Sequence, residues 1–195
     1  MSPLELAAAI LGLAAVWLIV RERLLAWPFG ILTGTLYIVV FVHARLYAGA
    51  LLQIVYVALQ CYGWASWSRR GPDGSRLAVT RARPRTLALA IIAGAAGTIA
   101  LGATLARHTD QALPYWDSFV TAFSLVAQWM VARKLLENWG IWFVVDVVAA
   151  ALYLTLGLHF TAVLYAAYLA LAVAGWRQWH ASLLASQAMP ALPAR

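Results

Sequence analysis

Charge is scarce in this chain. Only 11% of its 195 residues are Asp, Glu, Lys or Arg, against about 25% in an average soluble domain. Cysteine is scarcer still: Cys61 stands alone in an apolar segment, which excludes an internal disulfide and any CxxC metal or redox site. Catalytic signatures are missing as well. There is no HExxH, no GxSxG and no Walker-type glycine loop, so neither a zinc hydrolase nor an ATP-driven pump is indicated. His43, His108, His159 and His180 fall in loops or at helix ends without metal-ligand spacing. No nucleophile–base pair suggests an intramembrane enzyme. No cofactor and no enzymatic activity are expected.

Apolar residues fill the space that charge leaves. They make up 64% of the chain, and the mean hydropathy is +0.80. A soluble domain of this length cannot bury that much apolar surface, so the lipid bilayer is the implied solvent. Apolar runs between charge and turn breaks predict seven transmembrane helices, at about 3–20, 27–44, 46–68, 86–106, 115–133, 138–157 and 159–179. The first run lacks a basic n-region and reads as a retained helix, not a signal peptide. The expected fold class is therefore an all-α integral membrane protein.

The net charge of +7 reads as topology and not as a nucleic-acid footprint, because the arginines sit in short breaks between spans. With seven spans, one face collects twelve basic residues: Arg21, Arg23, Arg69, Arg70, Arg76, Arg81, Arg83, Arg85, Arg133, Lys134, Arg177 and Arg195. The other face has only Arg45 and Arg107. That asymmetry predicts an outside N-terminus and a cytoplasmic C-terminus. Residues 69–85 then form a polar, flexible, Arg-rich cytoplasmic loop, and 181–195 a cytoplasmic tail.

A repeat organises the chain. "YGWASW" ends at residue 67 and "AGWRQW" at residue 179, an offset of 112. The same offset pairs Trp17 with Trp129, Arg21 with Arg133, Leu24 with Leu136, Trp27 with Trp139, Tyr56 with Tyr168 and Gly63 with Gly175. Eight of the ten tryptophans pair in this way. The chain reads as a duplicated three-helix unit, 1–68 and 115–180. The offset covers four spans, so both copies point the same way, and 86–106 is an inverting linker rich in small residues. The plan is 3+1+3 with parallel repeats, in which a substrate binds between the repeats near the bilayer midplane.

Polar residues inside spans face a bundle interior or a water-filled cavity. Asp117, Thr121, Ser124 and Gln128 share one face of span five, and Gln53, Tyr56, Gln60 and Trp67 one face of span three. Trp139, Trp142, Asp146 and Tyr153 align on span six, and Trp27, Gly34 and Tyr37 on span two. Tyr37, Tyr56 and Gln128 fall near mid-membrane by helical rise. The repeat separates shared packing from departures. Asp146 is opposed by Gly34, Gln128 by Val16, Gln53 by Tyr165 and Gln60 by Ala172, an asymmetric polar set that suits an asymmetric ligand.

Plainer roles compete. Trp17, Trp64, Trp67, Trp176 and Trp179 read first as anchors or packing groups, while Trp142 is open to either role. Asp117 and Glu5 suit helix N-termini, and Gln53, Gln60 and Gln128 could bridge helices by hydrogen bonds. A lone carboxylate at Asp146 is the hardest to explain by packing.

The segments "AWPFG", "LYAGALLQIVY", "YGWASW", "YWDS" and "ARKLLENWGIWFVVD" resemble the PnuC family of bacterial vitamin transporters, from about Arg21 to Trp179. The order WDS, ENWxxW, GWxxW is specific. The resemblance implies a SWEET-like 3+1+3 fold in the bacterial inner membrane and uptake of nicotinamide riboside by facilitated diffusion. A cytoplasmic kinase would trap the substrate by phosphorylation. It also implies ligand contacts at Asn138, Trp139, Trp142 and Asp146, with Gln128 and Gln53 as further candidates; Tyr37 and Tyr56 join the candidate set from their face and depth. Aromatic faces can hold a flat pyridinium through cation–π attraction, and side-chain amides can address a carboxamide and ribose. Other members carry Asn at the Asp146 position, and the similar PnuT and PnuX proteins carry thiamine or riboflavin, so those vitamins stay open. A SWEET-type sugar uniporter and a scaffold without transport are the readings from other classes. The resemblance also implies a homo-oligomer, with a trimer as one form.

Overall fold

A computed structural model describes residues 3–43, 45, 47–69 and 77–188. The side chain of Glu5, the loop arginines Arg70 and Arg76, and the tail residues 189–195 lie outside the described residues. Seven helices follow in order: α1 Pro3–Val20, α2 Ala26–His43, α3 Tyr47–Ser68, α4 Pro84–His108, α5 Pro114–Ala132, α6 Asn138–Thr155 and α7 His159–Ala188. Each coincides with an expected span to within a few residues, except that α7 runs on to Ala188, into the segment expected to be tail. Four of them, α2, α4, α6 and α7, are long and apolar enough to cross a membrane by length and composition.

Local chemistry sets several boundaries. Proline opens α4 and α5, where its missing N–H costs nothing and its fixed φ already suits a helix. α6 stops where Gly157 turns to φ +73, and Leu158 N–H then returns to the Tyr153 carbonyl at 2.8 Å. Such a left-handed residue caps exposed carbonyls at helix ends.

The helices pack as a closed ring in the order α1, α2, α3, α5, α6, α7 and back to α1, while α4 lies outside it against α5. Small residues permit the close α4–α5 approach: Phe123 lies over Gly94 and Tyr115 over Gly102.

Backbone detail recurs at the 112-residue offset. The turn after α1 is closed by Glu22 N–H to Ile19 O (2.9 Å), Arg23 N–H to Leu18 O (2.9 Å) and Ala26 N–H to Arg23 O (3.0 Å). The turn after α5 repeats these bonds as Lys134 to Val131 (2.9 Å), Leu135 to Met130 (3.1 Å) and Asn138 to Leu135 (3.2 Å). Among the described residues, those with positive φ also fall into pairs 112 apart, Glu22 with Lys134 and Arg45 with Gly157.

The loop before α4 corrects an expectation. Flexibility is the expectation for 69–85, yet its described part Leu77–Arg83 is held as an extended strap across the α5–α6 turn. Thr80 N–H donates to Lys134 O (3.0 Å), Leu136 N–H donates to Thr80 O (2.9 Å), and Ala82 N–H donates to Glu137 Oε2 (2.7 Å). Val79 is buried in the core beneath. The apolar pair Leu77 and Val79 supplies the drive, and the turn's free backbone groups supply the register.

Candidate functional site

Four tryptophans form the densest part of the core. Trp27 meets Trp67 edge to face at 5.1 Å, and Trp139 meets Trp179 in the same way at 5.3 Å, the geometry favoured by ring quadrupoles. Trp67 and Trp179 approach each other at 6.0 Å. The Trp27 ring occupies the space a side chain on Gly63 would need, and the Trp139 ring does the same over Gly175. Trp67 and Trp179 thus serve as buried packing groups, whereas Trp17, Trp64 and Trp176 are exposed.

Above this cluster the ring encloses a cavity of about 270 Å³. All six ring helices line it and α4 does not. The contributing windows are 12–19 of α1, 30–37 of α2, 53–60 of α3, 124–131 of α5, 139–146 of α6 and 165–172 of α7. Each covers about 10 Å of helix. The α1 and α5 windows, and the α3 and α7 windows, correspond at the repeat offset.

The structure brings the expected residues together, with one exception. Tyr37, Gln53, Tyr56, Gln128, Trp139, Trp142 and Asp146 all line this cavity. Asn138 does not. It lies fully buried at the start of α6, where its Nδ2 donates to the Leu135 carbonyl at 2.6 Å. Its role here is to close the α5–α6 turn, and its Oδ1 has no hydrogen-bond partner among the described residues.

The two walls differ in chemistry. α5 and α6 present Ser124, Gln128, Trp142 and Asp146; the matching positions on α1 and α2 are Gly12, Val16, Gly30 and Gly34. Side chains from the other helices exploit the glycines. The Gln60 amide lies flat against Gly30, and the Tyr168 hydroxyl comes within 2.7 Å of where a Cβ on Gly12 would stand. Gln128 Nε2 donates to Gln60 Oε1 at 3.3 Å, linking α5 to α3, so the bridging role expected for these glutamines holds beside their place in the lining. Tyr56 on α3 and Ser124 on α5 both line the cavity. Tyr153 stacks on Tyr165 at 5.3 Å and supports the wall from outside.

Asp146 is 2% exposed. Among the described residues the one ion pair is Lys134–Glu22, so no protein cation within ion-pairing distance balances this carboxylate. A buried carboxylate without a counter-charge is costly, and a cationic ligand relieves that cost. Among the described residues no cluster of His, Cys, Asp and Glu could hold a metal ion.

Sequence reasoning passed over Tyr165 and Tyr168 on α7 and did not select Ser124 and Gln60 from their stripes. The signal for two of them was present. Tyr168 is the repeat partner of Tyr56, and Tyr165 that of Gln53.

Residues 2–181 match the family described as nicotinamide mononucleotide transporter. The chain is 28% identical over 204 residues to the nicotinamide riboside transporter PnuC of Escherichia coli (strain K12), covering 92% of this chain and 85% of that one. It is 30% identical over 179 residues to the riboflavin/roseoflavin transporter RibM of Streptomyces davaonensis, covering 90% and 83%. Its fold is similar to the crystal structure of the vitamin B3 transporter PnuC, with a TM-score of 0.72 and 25% identity over 91% of this chain and 80% of the other.

Proposed function

We propose that this chain, which belongs to the nicotinamide mononucleotide transporter family, carries nicotinamide riboside through the six-helix cavity by facilitated diffusion. The chain is a membrane transporter for a vitamin and not an enzyme. In the proposed mechanism all seven helices cross the bilayer as two same-facing three-helix units joined by α4, with the N-terminus outside. The recurring turn bonds and paired tryptophans support that plan, as does a ring that leaves α4 out.

The observation that carries the substrate reading is the lining itself. Asp146, without a protein counter-charge among the described residues, stands one helical turn from Trp142, with the Gln60–Gln128 amides on α3 and α5 and Tyr168 on α7. A pyridinium ring stacks on the tryptophan while its charge is balanced by the carboxylate. The amides and hydroxyls take the carboxamide and ribose. Substrate moves as the cavity opens to one face and then the other, and phosphorylation inside the cell removes it and gives direction. No ion gradient is used. Copies of the chain associate as a homo-oligomer, which the cavity, complete within one chain, does not itself require.

Riboflavin is the second reading, favoured by the RibM relative. A cavity of about 270 Å³ sits just under the usual range for small-molecule sites, about 300–1,000 Å³. That volume suits a nucleoside better than a flavin.

Purified protein in proteoliposomes tests the proposal. Labelled nicotinamide riboside equilibrates with its gradient and accumulates beyond it only when a riboside kinase and ATP are enclosed. Uphill accumulation under a proton or sodium gradient without kinase would refute uniport. Displacement by riboflavin but not by excess nicotinamide riboside would transfer the site to the second reading.

A further inference from the structure

The closed end of the cavity is built from links that cross between the two three-helix units. Ile19 and Val131 line its floor. Their backbone carbonyls are taken up crosswise: Trp67 Nε1–H donates to Val131 O at 3.2 Å, and Trp179 Nε1–H donates to Ile19 O at 3.2 Å. Each tryptophan therefore ties its own helix to the opposite unit. Beyond them, three residues after each carbonyl, lie Glu22 and Lys134, themselves 112 apart in sequence. Lys134 Nζ is 2.6 Å from Glu22 Oε2 and stands 4.5 Å over the Trp67 ring.

Two features distinguish this pair from an incidental surface contact. Both residues adopt the left-handed backbone, φ +52 and +51, which neither Glu nor Lys favours, and that conformation turns both side chains to the junction. Their side chains are also mostly covered, at 9% exposure for Lys134 and 22% for Glu22. The same position of a duplicated unit thus carries opposite charges. A like pair there would repel.

We propose that Glu22 and Lys134 are the latch of a gate that closes the cavity on its arginine-rich side, with the crossed tryptophan–carbonyl bonds as the gate itself. Opening toward that side separates the α1–α2 turn from the α5–α6 turn and breaks both layers together. The α5–α6 turn is held by the strap through Thr80, whereas the α1–α2 turn leaves Leu24 and Leu25 exposed, so the α1–α2 turn is the part that moves. This inference goes beyond the choice of substrate and is tested without one.

The reporter is Val16→Cys in a Cys61→Ala background, since Val16 faces the cavity. Its modification rate by a membrane-impermeant thiol reagent is measured in vesicles that expose the arginine-rich face. Glu22→Gln and Lys134→Gln should each raise that rate roughly five- to tenfold, as expected of a pair between the exposed and fully buried limits. The charge swap Glu22→Lys with Lys134→Glu should return it to the parent value, because the two positions are equivalent and the swapped lysine lies over Trp179 instead of Trp67. Unchanged rates in both single variants would overturn the latch, and so would a swap as reactive as the singles. If a glutamine variant fails to fold, Glu22→Asp takes its place; it keeps the charge, shortens the reach and should give an intermediate rate, with a parent-like rate counting against the proposal.

Discussion

Replacing Asp146 by Asn takes from the cavity a carboxyl group that can carry the charge opposite to a bound cation, and leaves the side chain's shape almost unchanged. The structure sets the size of the effect. Asp146 is 2% exposed, and no protein cation lies within ion-pairing distance among the described residues, so on the proposed reading a bound cation would be its balancing charge. Unit charges about 4 Å apart at an effective dielectric of about 20 attract by about 4 kcal/mol. Desolvation of both groups cancels part of this, leaving the ~1.5–3 kcal/mol typical of hydrogen bonds to charged groups. Asp146→Asn should therefore weaken nicotinamide riboside binding by about 10- to 150-fold. Quenching of tryptophan fluorescence provides the assay, because Trp139 and Trp142 line the cavity. The reduced, uncharged dihydro form of the same riboside is the control and should lose less than about threefold, under 1 kcal/mol. Equal losses for the charged and uncharged forms would refute the charge argument, as would full affinity for the cation in the Asn variant.

Further outcomes follow from the same geometry. Trp142→Ala should lower affinity by about 0.5–2 kcal/mol through lost cation–π contact, while Trp64→Ala, on the exposed face of α3, should leave titrated affinity unchanged; equal losses would remove Trp142 from the site. Gly63→Ala and Gly175→Ala each drive a methyl group into a tryptophan ring and should cost at least about 1–3 kcal/mol, the usual effect of overpacking. Thermal unfolding in detergent checks this, and an unshifted transition in either variant would contradict the ring-on-glycine packing.

How far the sequence reached differs from element to element. The helices were legible because the hydropathy contrast between lipid-facing segments and charged breaks is large, and proline and glycine mark several boundaries. The repeat was legible too, since tryptophan and glycine must keep their spacing for each ring to cover its glycine. The cavity lining was read from stripes of polar residues on α2, α3, α5 and α6. α7 escaped because its tyrosines are interleaved with alanines and leucines and form no polar stripe, although their repeat partners Tyr56 and Gln53 carried the signal. Asn138 was misplaced for the converse reason. A polar residue beside Trp139 suggests a ligand contact, yet the turn geometry spends its amide on the Leu135 carbonyl.

Composition and spacing alone determined a helical membrane chain whose tryptophans and glycines recur at a 112-residue offset, because burial in lipid and ring-on-glycine packing act through residue type and periodicity. The tertiary structure decided what no spacing encodes: that six helices close a ring around Asp146, that each unit's tryptophan grips the other unit's carbonyl, and that Glu22 meets Lys134. Those contacts depend on the relative placement of two separately legible units. That placement is fixed by packing between them, a property of the assembled surfaces and of neither sequence copy by itself.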